Sequence, residues 1–206
     1  VPRKVDGREE KGRKARRAII EAAGDCIAER GLNSTTIADI ASRSGLSHAL
    51  IMFHFKNKTN LFSMVLDSIG TPYREARQRR AEDAGASPYD KLVSLISWEI
   101  EYAAQNPRNV SIWFAFWGVR EGTSLYGKVV GPWDTQEAEE MKSLLADILH
   151  PLPEDEIETA HAGLNAMLWG YWMQVQLGSG SPTADQMVSA CRAYIGGFMR
   201  LDAAGQ

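Results

Sequence analysis

An all-α fold is what this 206-residue chain predicts, and three observations carry the prediction. Apolar residues recur at helical spacing along nearly its whole length, strand signals are almost absent, and capping residues and glycine stops punctuate the chain at regular intervals. About nine helices are expected, in an N-terminal three-helix unit followed by a larger C-terminal helical domain. Residues 1–58 are expected to form the first domain, 59–85 a connecting helix and linker, and 86–206 the second domain.

The elements follow in order. In RKARRAIIEAAGDCIAERG, Ile19, Ala22, Ala23, Cys26 and Ile27 form one apolar stripe, which Gly31 closes. Thr35 or Thr36 caps a second helix with Ile37, Ile40 and Ala41 on one face, and Gly45 stops it. Residues 44–46 turn the chain, and Ser47 caps a short helix through about Phe53. Asn57 or Thr59 opens a helix carrying Leu61, Phe62, Val65, Leu66 and Ile69, which Pro72 is expected to kink or interrupt. The polar stretch REARQRRAEDAGAS leads to a boundary at Gly85. Ser87 and Pro88 then start a helix over 88–105. A helix over 107–118 follows, then an uncertain stretch over 122–131 and a helix over 132–149. After HPLPEDE, residues 157–177 are apolar nearly all round. The loop GSGSPTAD precedes a last helix over 182–201, with Met187, Val188, Cys191, Tyr194, Ile195 and Phe198 on one stripe.

Composition narrows the function classes. With 44% hydrophobic and 24% charged residues the chain can bury a core. No apolar run approaches the roughly 18–20 residues that span a bilayer, so no membrane role is expected. The charged start VPRKVDGREEKGRKARR has no apolar segment of a secretory signal. Cys26 and Cys191 lie far apart without metal-ligand spacing and suit a reducing cytoplasm, the expected location. No Ser-His-acid order, His/Cys metal spacing or glycine-rich phosphate loop is present, so no enzyme, catalytic residue, metal or cofactor is expected. Charge is uneven: the first 80 residues hold 16 Lys and Arg against 9 Asp and Glu, and the remainder hold 7 against 17. A basic first third on an acidic remainder suggests that the N-terminal part meets a polyanion, although charge also fluctuates along chains.

Residues 44–62, SGLSHALIMFHFKNKTNLF, carry the sharpest signal. Two short helices joined by a glycine-containing turn make a helix-turn-helix, in which the second helix enters a major groove of DNA. Leu46, Ile51 and Phe55 are its expected inner side. The longer stretch TTIADIASRSGLSHALIMFHFKNKTNLF resembles the DNA-binding signature of the TetR family of bacterial transcriptional repressors. The shared skeleton is T-x-x-I-A-x-x-x-G-[VL]-S, a hydrophobic helix, an aromatic pair and a lysine before a Leu-Phe helix, and the likeness covers residues 15–65. Two positions depart from it: many members have glycine where Ala49 stands and tyrosine where Met52 or Phe53 stands.

The resemblance implies roles by position. Thr36 would touch phosphate, while Ser47, His48, Ala49 and Leu50 would face base edges or sugar. Phe53 and His54 would approach the backbone, and Lys58 would bind phosphate at a helix start, with Lys56 beside it. The bland readings are surface histidines, a solvated Lys56, and a Phe53 packed under its own helix. The basic arm, with Lys11, Arg13, Lys14, Arg16 and Arg17, would reach backbone or minor groove, unless it is only a solvated tail. Because the base-facing set lacks Arg, Asn and Gln, few direct base reads are expected, and DNA shape should matter.

All six tryptophans follow residue 85. Trp113, Phe116 and Trp117 share a helical face, and Trp169, Tyr171 and Trp172 lie on another helix. Glu99, Glu121 and Asp134 neighbour tryptophans in sequence. Such stripes read either as plain core or as an aromatic cage for a cation. WFAFW, LYGKV (with Tyr126) and GLNAMLWGYWMQVQLGSGSPTADQM resemble the effector domain of BetI-type repressors, which respond to choline. Trp169 replaces that group's usual aspartate, and Gln174 its common arginine. The resemblance implies an effector site drawn from Trp98, Trp113, Phe116, Trp117, Tyr126, Trp169 and Trp172. A quaternary amine is one candidate effector and a neutral apolar or aromatic metabolite the alternative. It also implies a homodimer through the last two helices, a near-palindromic double-stranded operator, and release from DNA by effector. An architectural DNA-binding protein without an effector is the rival class.

Overall fold

The computed structural model describes residues 7–178, 180 and 182–204, with side chains to residue 200. Among these residues ten helices form the fold: α1 (Gly7–Arg30), α2 (Ile37–Ser44), α3 (His48–Phe55), α4 (Lys58–Asp83), α5 (Pro88–Gln105), α6 (Pro107–Trp117), α7 (Arg120–Val129), α8 (Gly131–Leu149), α9 (Glu154–Leu177) and α10 (Ala184–Ala204). The fold is all-α, as expected, with one helix more than expected. The addition is α7, in the stretch whose structure was left open. A helix passes through it although it contains Gly122, where a Cβ would run into the Phe116 carbonyl and Leu32, so the glycine is required by close packing.

Local chemistry explains most boundaries. Ser87 caps α5 by accepting from the Asp90 backbone N–H, with Pro88 in the first turn. Gly31, Gly45 and Gly178 all have positive φ, and each follows a helix directly. Two expectations are corrected. Of the two effects expected of Pro72, interruption is ruled out, because it lies inside α4. The basic arm is not an arm from residue 7 onward, because its charges stand on the first half of α1. Its residues 3–6 fall outside the described residues.

Packing divides the chain into two compact units, one of residues 1–71 and 111–131, the other of residues 72–110 and 132–206. In the first, Ile19, Ala23 and Ile27 of α1, Ile40 of α2, Ile51 of α3, and Leu61 and Leu66 of α4 are fully buried. Burying each of the isoleucine and leucine side chains contributes roughly 1.5–3 kcal/mol. Arg43 ties α2 to α1 through Glu29 and Asp25, and Arg30 bonds Asp39 at 2.6 Å. In the second unit α5, α9 and α10 pack on one another. Their core includes Leu92, Leu95, Ile96, Leu164, Cys191 and Ile195. This is a division of packing, which need not coincide with the division of roles anticipated at residues 58 and 85. Cys26 and Cys191 are buried and free. Among the described residues no helix is long and apolar enough to cross a membrane.

Candidate functional site

The helix-turn-helix is built from caps. Thr36 Oγ1 accepts from the Asp39 N–H at 3.1 Å, and the Thr36 N–H donates to Asp39 Oδ2 at 3.0 Å, a reciprocal capping box. Thr36 Oγ1 also donates to Asp39 Oδ2 at 2.6 Å. Its hydrogen bonds, with help from Arg30, hold the Asp39 carboxyl below its ordinary value. Gly45, at φ 68°, turns the chain, and Ser47 Oγ accepts from the Leu50 N–H at 3.2 Å. Ser47 therefore keeps its hydroxyl proton for another acceptor, whereas Thr36 has already spent its own.

α3 has two faces. Ile51 and Phe55 are buried beneath it, and Arg16 stands 5.4 Å over the Phe55 ring. Ser47, His48 and Ala49 are exposed, Leu50 and His54 half-buried. Phe53 is 77% exposed and packs edge-on against His54, so it does not lie under its own helix. After α3, Lys56 takes φ 63°, ψ −41°, and the Asn57 N–H donates to Phe55 O at 2.7 Å. This is a γ-turn of the strained, positive-φ kind. Asn57 Oδ1 caps α4 by accepting from the Asn60 N–H at 2.8 Å. Lys58, the first residue of α4, places Nζ 5.0 Å from the Phe62 ring centroid. Orphan N–H groups and a lysine at one helix start suit an anion. On α1, Arg13 and Arg17 are exposed one turn apart, and Lys14 pairs with Glu10 at 2.9 Å.

Five of the seven expected effector residues fall into two ring clusters, one in each unit: Trp98 and Trp172 in the second, Trp113, Trp117 and Tyr126 in the first. In the second unit Trp98 stacks on Tyr102 (5.3 Å, 29°) and Tyr102 on Trp172 (5.9 Å, 25°). Tyr73 of α4 stands edge-on to Trp98 at 4.6 Å and to Tyr102 at 4.9 Å. Sequence reasoning missed Tyr73 and Tyr102. Tyr102 follows Trp98 by one helical turn, a usable signal; Tyr73 offers none.

Beside these rings lies a buried ionic cluster, of which the sequence pointed only to Glu99 and Asp134 and missed Arg77, Glu137 and Glu140. Arg77 is 4% exposed. Its Nη1 donates to Glu140 Oε2 at 2.5 Å, and its Nε lies 3.7 Å from Glu137 and 3.9 Å from Glu99. Nε and Nη2 have no hydrogen-bond partner among the described residues. Lys91 reaches Glu140 at 3.2 Å. Burial pushes the Glu99 and Glu137 carboxyls each up to about 7; Arg77 opposes the rise, and Asp134 adds to it. Burial also acts to raise Glu140, but hydrogen bonds and charge from Arg77 and Lys91 outweigh it and hold that group low. Tyr73 is pushed well above its ordinary value by burial first, then by Glu99 and Glu137, which ties the rings to the carboxylates. With all acids ionised, carboxylates outnumber cations here, a setting that favours a positive guest.

In the first unit Trp113 stacks near Trp117 (6.4 Å, 17°), and Tyr126 of α7 stands edge-on to both. The buried Trp113 Nε1 has no hydrogen-bond partner among the described residues. Phe116 is fully buried against Phe62, a core position. Trp169 is 47% exposed on α9. Trp133 lies under the Arg74 guanidinium at 3.8 Å.

Comparison with known proteins fits this geometry. The sequence model of the tetR family of bacterial regulatory proteins matches residues 19–65. That of the BetI-type transcriptional repressor C-terminal region matches residues 88–200, more than half the chain. The HTH-type transcriptional regulator BetI of Stenotrophomonas maltophilia is 26% identical over 87% of this chain and 90% of its own length. BetI of Klebsiella pneumoniae is 28% identical over 81% and 84%. A Saccharomonospora viridis protein described as a transcriptional regulator, solved in complex with choline, superposes with a TM-score of 0.70. It is 24% identical and is covered over 96% of its length, against 89% of this chain, a likeness of fold. The chain belongs to the TetR family of bacterial transcriptional regulators, with a C-terminal region of the BetI type.

Proposed function

We propose that this regulator is a cytoplasmic repressor that binds a near-palindromic operator as a homodimer and releases it when a small cation, choline or a related quaternary amine, binds. The observation that carries the reading is the Tyr73, Trp98, Tyr102 and Trp172 cluster bordered by Glu99 and Glu137. Aromatic faces attract a cation by roughly 0.5–2 kcal/mol per ring when water is excluded, and the carboxylates supply its counter-charge. Ring centroids this close are in mutual contact, so the guest takes outer ring faces or parts the rings. Parting them moves Tyr73, which stands on the same helix that begins with Lys58. The choline complex of the Saccharomonospora viridis protein supports the same ligand class.

In this reading residues 1–58 read DNA, 59–85 connect and 86–206 sense. Ser47, His48, Ala49 and Leu50 face base edges or sugar, while Thr36, His54, Lys56, Lys58, Arg13, Lys14 and Arg17 meet the backbone; Phe53, which the resemblance puts near the backbone, stands on the exposed side of the same helix. For Thr36 that contact uses the backbone N–H groups of its helix start, since its hydroxyl is engaged. The dimer reading is supported by α9, whose Trp169, Met173 and Leu177 are 47%, 45% and 68% exposed at i, i+4 and i+8. A stripe of that kind calls for a partner.

Titration by tryptophan fluorescence with choline and with 3,3-dimethylbutan-1-ol, its neutral carbon analogue, tests the effector. The reading expects choline to bind and the alcohol to bind at least tenfold more weakly. Equal response would favour the alternative of a neutral apolar or aromatic effector. What favours that alternative is the second ring cluster, where Trp113 Nε1, without a hydrogen-bond partner among the described residues, is able to donate to a neutral hydroxyl or carbonyl.

A further inference from the structure

The reading helix offers DNA an unusual chemistry. His48–Phe55 contains no Arg, Lys, Asn or Gln, so none of the usual bidentate readers of guanine or adenine stands on it. Its outward positions are instead apolar at two places one turn apart: Ala49 is exposed, and Phe53, at i+4, is 77% exposed. A phenylalanine can neither donate to a phosphate nor accept from a base. Its ring stands edge-on to that of the half-buried His54. Ile51 and Phe55 already anchor the helix from the opposite side, so folding does not require the Phe53 ring. The major groove presents one apolar group, the C5-methyl of thymine, and small or aromatic apolar side chains are its natural contacts.

We infer that Ala49 and Phe53 read thymine methyl groups, making T·A pairs within about two steps of each other the specificity-determining feature of each operator half-site. The inference rests on α3 being the DNA-reading helix. Residues i and i+4 lie about 5–6 Å apart on a helix surface, comparable with one to two base-pair rises. Lys58 at the start of α4, with Lys56 just before it, then holds the helix in register on phosphates, and the methyls decide the sequence.

The test uses the full chain and duplexes selected by it from a randomised pool. Each thymine of the selected half-site is replaced singly by deoxyuridine, which removes only the methyl, and binding is read by fluorescence anisotropy at fixed salt. One or two positions per half-site should weaken wild-type binding by about three- to fivefold each. The loss at one of them should disappear in Phe53→Ala, and at the other in Ala49→Gly. Deoxyuridine duplexes bound as tightly as thymidine ones, or a selected half-site without thymine, overturn the inference while leaving α3 as the reading helix. Failure to select any duplex overturns the assignment of α3 itself, and the inference with it. Tighter binding by Phe53→Tyr together with insensitivity to deoxyuridine would place the ring at a phosphate instead, and so against this proposal.

Discussion

Replacing Arg77 by methionine tests whether one buried guanidinium keeps two buried carboxylates ionisable. Arg77 lies within 4 Å of Glu99 and Glu137 and bonds Glu140 directly. In the unfolded chain the two glutamates titrate near the ordinary value of 4.5; in the fold they titrate at about 7. The folded protein therefore binds more protons than the unfolded chain between these values, and stability falls as pH rises from about 4.5 to about 7. Above 7 the wild-type slope from these groups levels off. Without Arg77 the opposing charge is gone, both carboxyls move higher, and the fold retains protons that the unfolded chain has released. Each retained proton costs about 1.4 kcal/mol per pH unit. Because the wild-type carboxyls are still half protonated at pH 7, the gap between wild type and Arg77→Met should widen by at most about 1 kcal/mol per carboxylate from pH 7 to pH 8, or about 1–2 kcal/mol for one or two of them. At pH 6 a smaller gap should remain from the lost bond to Glu140 and altered packing. Urea unfolding at pH 6, 7 and 8 measures it. A gap constant over this range would refute the argument, showing that Glu99 and Glu137 do not depend on Arg77 for their charge.

Three further outcomes follow from the geometry. Lys56→Gly removes a positive-φ side chain and should stabilise the protein by about 1 kcal/mol in thermal melts, while lowering the salt slope of DNA binding by about one counterion. Gly122→Ala should destabilise by about 1–3 kcal/mol in denaturant titrations, because the added methyl meets the Phe116 backbone and has Leu32 Cδ2 at 2.9 Å. Trp172→Ala should weaken choline binding about two- to thirtyfold in calorimetry and leave DNA affinity without choline unchanged.

What was legible in the sequence was local. Ser47, Gly45, Ser87 and Pro88 act on their own neighbours, so their caps and turns sit where expected. The buried pair Ile51 and Phe55 follows from helical spacing alone. What was hidden depends on distant partners. Arg77 lies in a run of charges that reads as solvated, and its burial is decided by Glu140, 63 residues away. Tyr73, four residues before Arg77 on the same helix, is placed by Trp98 and Tyr102 of α5. The helix α7 contains residues that disfavour helix, and a close approach of Phe116 and Leu32 explains its glycine. The tryptophans signalled aromatic clustering, yet periodicity cannot assign Trp98 and Trp113 to separate ring clusters.

The measurement that tests the central claim most directly is anisotropy of labelled duplex from the gene's own upstream region, at fixed salt, with and without saturating choline. Saturation is verified in the same samples by tryptophan fluorescence. The account predicts binding that choline weakens about 5- to 150-fold, a coupling of ~1–3 kcal/mol. It also predicts that Trp172→Ala binds the duplex but responds only at higher choline. Choline that saturates the protein yet leaves DNA affinity unchanged would contradict it.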